Sequence, residues 1–259
     1  MKRFSFSCGV MLRKVMKKSL KKTKKVISLL LIFTLLFTSL LTGIGPIKAS
    51  ATSIPCLQTL IPSGNDFYAL MSDGTVKSRG YNTYGELGLG NTYYYDTFTT
   101  VPGLSGVIQL LPAREGDGTY ALLSNGTVMV CGHNSYGELG LGNTNQYTSF
   151  TAVSGLTGVA KLFSTDFSVY ALMSDGTVKD CGYNYYGQLG QGNTMQYNSF
   201  TTVSGLSGVR ELITYCYDVS ALMNDGTVKS CGQNYNGELG VGYTSNRLCV
   251  AESNNCICL

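Results

Sequence analysis

One stretch of the chain, ALMSDGTVKSRGYNTYGELGLGN from Ala69, returns three times: as ALLSNGTVMVCGHNSYGELGLGN from Ala121, ALMSDGTVKDCGYNYYGQLGQGN from Ala171 and ALMNDGTVKSCGQNYNGELGVGY from Ala221. The spacings of 52, 50 and 50 residues fall where a period means a solenoid, a propeller or an array. Each copy is then first a structural unit that buries its apolar face against its neighbours. Function is to be sought on the surface of the array, which favours a binding module over an enzyme.

Residues 1–51 are of another kind. A basic run from Arg13 to Lys25 precedes the apolar stretch Val26 to Gly45 and the small residues Ala49, Ser50 and Ala51, the pattern of a secretory signal peptide. Twenty mostly apolar residues are also long enough for an uncleaved membrane anchor. The expected location is secreted, with a membrane-anchored, extracytoplasmic chain as the alternative. Eleven of the nineteen Lys and Arg lie at or before Lys48 and none of the fifteen acids does. Residues 52–259 therefore carry eight cations against fifteen acids, a net charge of −7. Binding nucleic acid through charge needs a clustered basic face, so nucleic acid is not an expected partner, and a membrane is one only through the leader.

Cys131, Cys181 and Cys231 hold one position of three consecutive copies, where the first has Arg79. Equivalent positions in adjacent repeats are too far apart for the Cα separation a disulfide requires, so these three read as small buried residues. Cys56, Cys216, Cys249, Cys256 and Cys258 are irregularly placed, and a pair among them stays open.

Within a copy, YALMSDGTVKS is two apolar-rich runs around a turn signal. Hairpins are expected near 68–80, 120–132, 170–182 and 220–232, with tips at Asp73-Gly74, Asn125-Gly126, Asp175-Gly176 and Asp225-Gly226. One carboxylate per tip falls well short of a calcium site. Segments such as FTTVSGLSGVRELI add a strand, a turn at the glycine pair and a strand leading into the next hairpin. Four short strands per fifty residues is a propeller blade.

These residues carry a resemblance. GTVKDCGYNYYGQLGQGN, from Gly176 to Asn193, and its three sisters are similar to the RCC1 (regulator of chromosome condensation) repeat, with the hairpin turn, the glycines and GQLG or GELG in register from Leu57 to Gly242. The resemblance implies an all-β fold of RCC1-like β-propeller repeats, here four blades over residues 52–242 that form a partial or open propeller; the apolar leader, read separately, adds an N-terminal signal or hydrophobic helix before it. The chain departs from the family in having no Trp, in having four copies where the family closes seven blades, and in the divergent tail 243–259, which lacks FTxVxGLxGV. Open blade edges would favour pairing with another chain, and a truncated remnant of a longer protein is an equal reading.

No catalytic set is expected. His133, in a position that is Tyr81, Tyr183 or Gln233 in the other copies, reads as a solvated loop residue rather than a base. Glu86, Glu138, Gln188 and Glu238 look like a ring of ligands, but in a glycine-rich turn they read as acceptors for nearby backbone N–H groups. Neither a metal nor a cofactor is expected.

All eighteen tyrosines follow the leader, many in loops among Asn, Ser, Thr and Gly, a mixture that gives large contact area with adaptable polar neighbours. The expected partner-binding face includes Tyr93, Tyr94, Tyr95, Tyr147, Tyr183, Tyr185 and Tyr197, while Tyr84, Tyr136 and Tyr186 are expected to pack between blades. The leading reading is a non-enzymatic, protein-binding module, secreted or surface-attached, of the bacterial type. Resemblance to secreted propellers that inhibit β-lactamases supplies the alternative. Guanine-nucleotide exchange, the activity of the family's nuclear members, fits less well because no connection between hairpins carries a long insertion.

Overall fold

The computed structural model describes residues 54–113 and 118–252. The leader, the expected hydrophobic helix, Cys256 and Cys258 lie outside them. The described chain is all β, in four antiparallel sheets of four strands. The first blade holds β1 (Leu57–Ser63), β2 (Asp66–Met71), β3 (Val76–Gly80) and β4 (Tyr95–Thr100). The second holds β5 (Val107–Pro112), β6 (Gly118–Leu123), β7 (Val128–Gly132) and β8 (Tyr147–Ala152). The third holds β9 (Val159–Ser164), β10 (Ser168–Met173), β11 (Val178–Gly182) and β12 (Tyr197–Thr202). The fourth holds β13 (Val209–Tyr215), β14 (Asp218–Met223), β15 (Val228–Gly232) and β16 (Arg247–Glu252). Each sheet keeps its strands in chain order.

The tip chemistry explains why Asp and Asn interchange. Asp73 Oδ1 accepts from the N–H and the hydroxyl of Thr75 at 3.0 and 2.7 Å. Asn125 Oδ1 does the same for Thr127 at 3.1 and 2.6 Å, because the turn uses an oxygen acceptor and not a charge. Gly74, at φ 76°, takes the left-handed position that closes the turn.

The fourth copy corrects the expected boundary at Gly242. Its divergent residues supply β16, which pairs with β15 through Lys229↔Glu252, Ser230↔Ala251 and Gly232↔Arg247. Backbone pairing requires no particular side chain, and Val250 takes the place held by Phe150 and Phe200 in the second and third blades. Val250 packs on Gly190 as Phe200 packs on Gly140. In the earlier copies an Asn side chain donates to a Tyr hydroxyl, as Asn143 does to Tyr147 at 3.1 Å. The fourth copy replaces both together, and Arg247 lies over the Tyr243 ring.

The apolar cores lie between blades, one at each junction. Tyr68, Leu70, Val76 and Leu87 of the first blade meet Val107, Leu110 and Ala121 of the second. Tyr120, Leu122 and Leu139 meet Val159, Ala171, Met173 and Cys181 of the third, and Tyr170, Leu172 and Leu189 meet Val209, Ala221 and Cys231 of the fourth. Period-two alternation thus sends one row of each strand forward and the other back.

A polar interlock repeats inside each core. The carbonyl of Glu86 accepts the Tyr68 hydroxyl of its own blade and the Cys131 thiol of the next. Glu138 takes Tyr120 and Cys181 in the same way, and Gln188 takes Tyr170 and Cys231. Burial raises these phenols and thiols above their usual ranges, so they remain neutral donors. The cysteines are buried, as their repetition implies, and they also tie each blade to the one before it. Among the described residues Cys56, Cys216 and Cys249 are free.

Asp180 breaks the pattern. It is buried where the other copies carry Ser78, Val130 and Ser230. Gln191 donates to Oδ1 at 2.9 Å while Oδ2 has no partner. Burial pushes this carboxyl well above the ordinary range, so the folded state favours its protonated form and loses stability as pH rises from the carboxylate range toward the folded value. Asp180→Val, the residue of the second copy, is expected to stabilise the fold by roughly 1–3 kcal/mol at neutral pH, the usual cost of an unpaired buried polar group. Denaturant midpoints should show that gain shrinking as the pH is lowered toward 4.

Candidate functional site

The loops that follow β3, β7, β11 and β15 project from one end of the blades, beside the turns that join β9 to β10 and β13 to β14. Each is built on an asparagine. Asn134 Nδ2 donates to the carbonyls of Asn143 and Asn145 at 3.0 and 2.9 Å, and its Oδ1 accepts the Leu139 N–H at 2.9 Å. Asn82, Asn184 and Asn234 make the same three bonds in their own loops. A second clamp comes from the acid or amide of GELG. Glu86 accepts the N–H groups of Thr83 and Tyr84, Glu138 that of Tyr136, Gln188 that of Tyr186 and Glu238 that of Asn236. These four groups hold backbone, as expected for a turn.

His133 requires a correction. Its side chain is only 17% exposed, and Nδ1 lies 2.5 Å from Oε1 of the buried Glu138. Edge contact with Tyr84 and proximity to Phe167 cover the ring, so it is a packed residue and not a solvated one. Burial raises the Glu138 carboxyl, opposed by the bonds from His133 and the Tyr136 N–H.

The rigid loops hand aromatic rings from blade to blade. Tyr84 of the first loop meets His133 of the second at 4.9 Å between ring centroids, and Tyr136 of the second meets Tyr183 of the third at 4.9 Å. Phe167 packs on Tyr136 at 5.1 Å. Tyr183 continues to Tyr185 and Tyr217, and Tyr186 to Tyr217 and Tyr235. The result is a continuous aromatic ribbon from Tyr84 to Tyr235 in which most rings are half-buried. Tyr185 and Tyr235 are exposed.

Of the seven tyrosines expected on a binding face, Tyr183 and Tyr185 belong to this ribbon. Tyr93 and Tyr94 are exposed on the first loop, where Tyr94 stacks edge-on against Tyr81. Tyr95, Tyr147 and Tyr197 are half-buried at the start of the fourth strands, their hydroxyls bonded to Asn91, Asn143 and Asn193 at 2.9 to 3.1 Å. The structure does not gather the seven into one patch. The ribbon members absent from that expectation were Tyr84, His133, Tyr136, Phe167, Tyr186, Tyr217 and Tyr235. Repeat-equivalent Tyr84, Tyr136 and Tyr186 do pack between blades while keeping an edge on the surface, and Phe167 and Tyr217 come from short turns that interrupt no motif.

An arc of four-stranded antiparallel blades whose cores lie between sheets is a segment of a β-propeller. No family model matches the chain. A secretion-regulating guanine nucleotide exchange factor of Bos taurus is 34% identical over 86 residues, 33% of this chain and 18% of that protein. Human WBSCR16 superposes with a TM-score of 0.66 at 22% identity, over 76% of this chain and 52% of that one. Yeast RCC1 (Prp20), crystallised with Kap60, gives 0.67 at 15% identity, over 78% and 50%. The chain thus spans 18% of that curated relative and about half of each of those structures. The recurring unit resembles the RCC1 repeat in motif, and the blades share the fold of yeast RCC1.

Proposed function

We propose that the chain is a non-enzymatic, protein-binding module of RCC1 repeats, secreted or surface-attached as in the bacterial type, that receives its partner on the aromatic ribbon. The observation that carries this reading is the run of contacting rings across the loops of all four blades, held on loops fixed by asparagine clamps. A few residues supply most of the energy at protein interfaces and Tyr is enriched among them, and a rigid platform lowers the entropic cost of binding. The similar Prp20p of Saccharomyces cerevisiae is described by its binding to Gsp1p and histones, which supports a protein as the class of ligand. The leader supports export, and with it a secreted or surface-exposed partner.

The test is capture of exported and surface proteins on the immobilised native chain and on a Tyr183→Ser/Tyr185→Ser variant, quantified side by side. A protein enriched on the native chain and lost on the variant supports the reading. Equal capture on both excludes the ribbon. A secreted hydrolase such as a β-lactamase among the captured proteins would favour the inhibitor role. Nucleotide exchange, to which the bovine relative's name points, would instead appear as accelerated release of labelled GDP from a small GTPase.

A further inference from the structure

Every internal junction joins two unlike faces. The leaving face presents the Tyr and Leu of the second strand and the Leu of the GELG loop. The receiving face presents the Val and Leu of the opening strand, the Ala of the second strand, the Cys or its equivalent of the third and the Phe of the fourth. Contact is close: a Cβ on Gly137 would stand 2.5 Å from Asn198, and one on Gly140 2.5 Å from Phe200. The loop also donates across the junction, from the Gly142 N–H to the Asn198 carbonyl at 2.7 Å.

Among the described residues, no blade lies on the receiving face of the first blade. Leu57 and Leu60 are 55% and 49% exposed, whereas their equivalents Val107 and Leu110 are 3% and 6% exposed. Phe98, the equivalent of Phe150 and Phe200, is exposed beside them. The fourth blade carries the matching leaving face. Glu238 is exposed, and Gly237 and Gly240 have no described atom within 4 Å of a would-be Cβ.

Two substitutions distinguish these end faces from the internal ones, and they compensate. The leaving-face tyrosine is Ser220, whose hydroxyl turns to Ser230 at 2.8 Å. The receiving-face cysteine is Arg79, whose guanidinium lies over Phe67 and Phe98 at 4.8 and 5.1 Å while its Nε is buried without an acceptor. Large against small at the internal junctions becomes small against large here. Where the internal junctions supply a thiol donor to the preceding blade's carbonyl, the first blade carries a guanidinium at the equivalent position. Charge agrees with shape: Asp218 stands near Glu238, and burial together with that neighbour pushes the Asp218 carboxyl up to about 6. A cation arriving there would relieve the strain on the acid pair.

We propose that the receiving face of the first blade is occupied by the leaving face of the fourth blade of a second copy, with Arg79 donating to the Glu238 carbonyl and facing Asp218. Made twice about a two-fold axis, this head-to-tail contact closes a ring of eight blades from two sets of four, within the range of known propellers. The contact extends the junction already made three times within the chain, and it stands independently of what the aromatic ribbon binds.

The test compares the native mass of the purified full chain, by light scattering, with its mass under denaturing conditions. A ratio of two is expected. Arg79→Cys alone and Ser220→Tyr alone should each weaken association about tenfold or more, the scale of coupling between contacting residues. The double variant rebuilds the internal Tyr–Cys pair across the two copies and should recover the dimer. Both positions lie on end faces, so circular dichroism and thermal midpoints of the dissociated chains should stay near native. A native chain of unit mass at high micromolar concentration overturns the proposal, including when its own N-terminal residues cover the face. So does a dimer indifferent to both single substitutions, or a double variant no better than the singles.

Discussion

Asn134→Ala is expected to lower unfolding stability by roughly 2–4 kcal/mol, since one buried N–H loses its acceptor at about 1–3 kcal/mol and two part-buried carbonyls lose a donor at a smaller cost, water taking up part of it. The groups are the Leu139 N–H and the carbonyls of Asn143 and Asn145. Leu139 itself enters the core between the second and third blades, so its N–H cannot turn to water without withdrawing that leucine. The loss is a large share of the 5–15 kcal/mol typical of a whole domain. Urea denaturation of the variant beside the native chain measures it. His133→Gln, which installs the fourth copy's residue one position earlier, should cost far less. A loss below about 1 kcal/mol for Asn134→Ala would mean that the loop is held by something other than its asparagine, contrary to the usual cost of stranded buried groups.

Gly137→Ala is expected to be nearly as damaging, and its counterpart in the fourth copy separates the two causes. Both glycines hold left-handed backbone, at φ 72° and 82°, so alanine costs about 1–2 kcal/mol of conformational strain at either site. Only Gly137 also faces a neighbour. Its Cβ would sit 2.5 Å from the backbone and side chain of Asn198, and the second and third blades would have to separate. Gly237→Ala meets no described atom within 4 Å. Thermal unfolding at concentrations where single chains predominate should therefore show a modest loss for Gly237→Ala and one larger by about 1–3 kcal/mol for Gly137→Ala, the usual cost of overpacking. Equal losses would show that inter-blade contact contributes nothing to the requirement for glycine.

The repeat made the blade legible because each of its signals is local. The turn at Asp73-Gly74, the alternation in YALM and the glycine pair before β5 each report the conformation of a few residues. The junction between blades was harder to read, because it joins residues about fifty apart. Cys131 could be seen as buried, but its donation to the Glu86 carbonyl depends on the packing of two blades, and only then does Arg79 in the first copy mark a receiving face with no described blade against it. The fourth strand of the last blade was missed because RLCVAE shares no motif with YTSFTA, although a sheet edge accepts any chain with suitable alternation and no proline. The tyrosines divide on similar lines. Variation among copies pointed to Tyr183 and Tyr185, but it could not show that Tyr147 and Tyr197 spend their hydroxyls on Asn143 and Asn193, or that Phe167 and Tyr217 join the loops from another part of the blade.

The most direct measurement of the binding account is the dissociation constant of a captured partner for Tyr185→Ala and Tyr235→Ala, set against Tyr93→Ala and Tyr94→Ala. All four rings are exposed and can be truncated without opening a core. Weakening of about tenfold or more is expected for Tyr185 and Tyr235, the scale of an aromatic hot spot, and little change for Tyr93 and Tyr94. Loss confined to Tyr93 and Tyr94, with Tyr185 and Tyr235 neutral, would contradict binding on the ribbon.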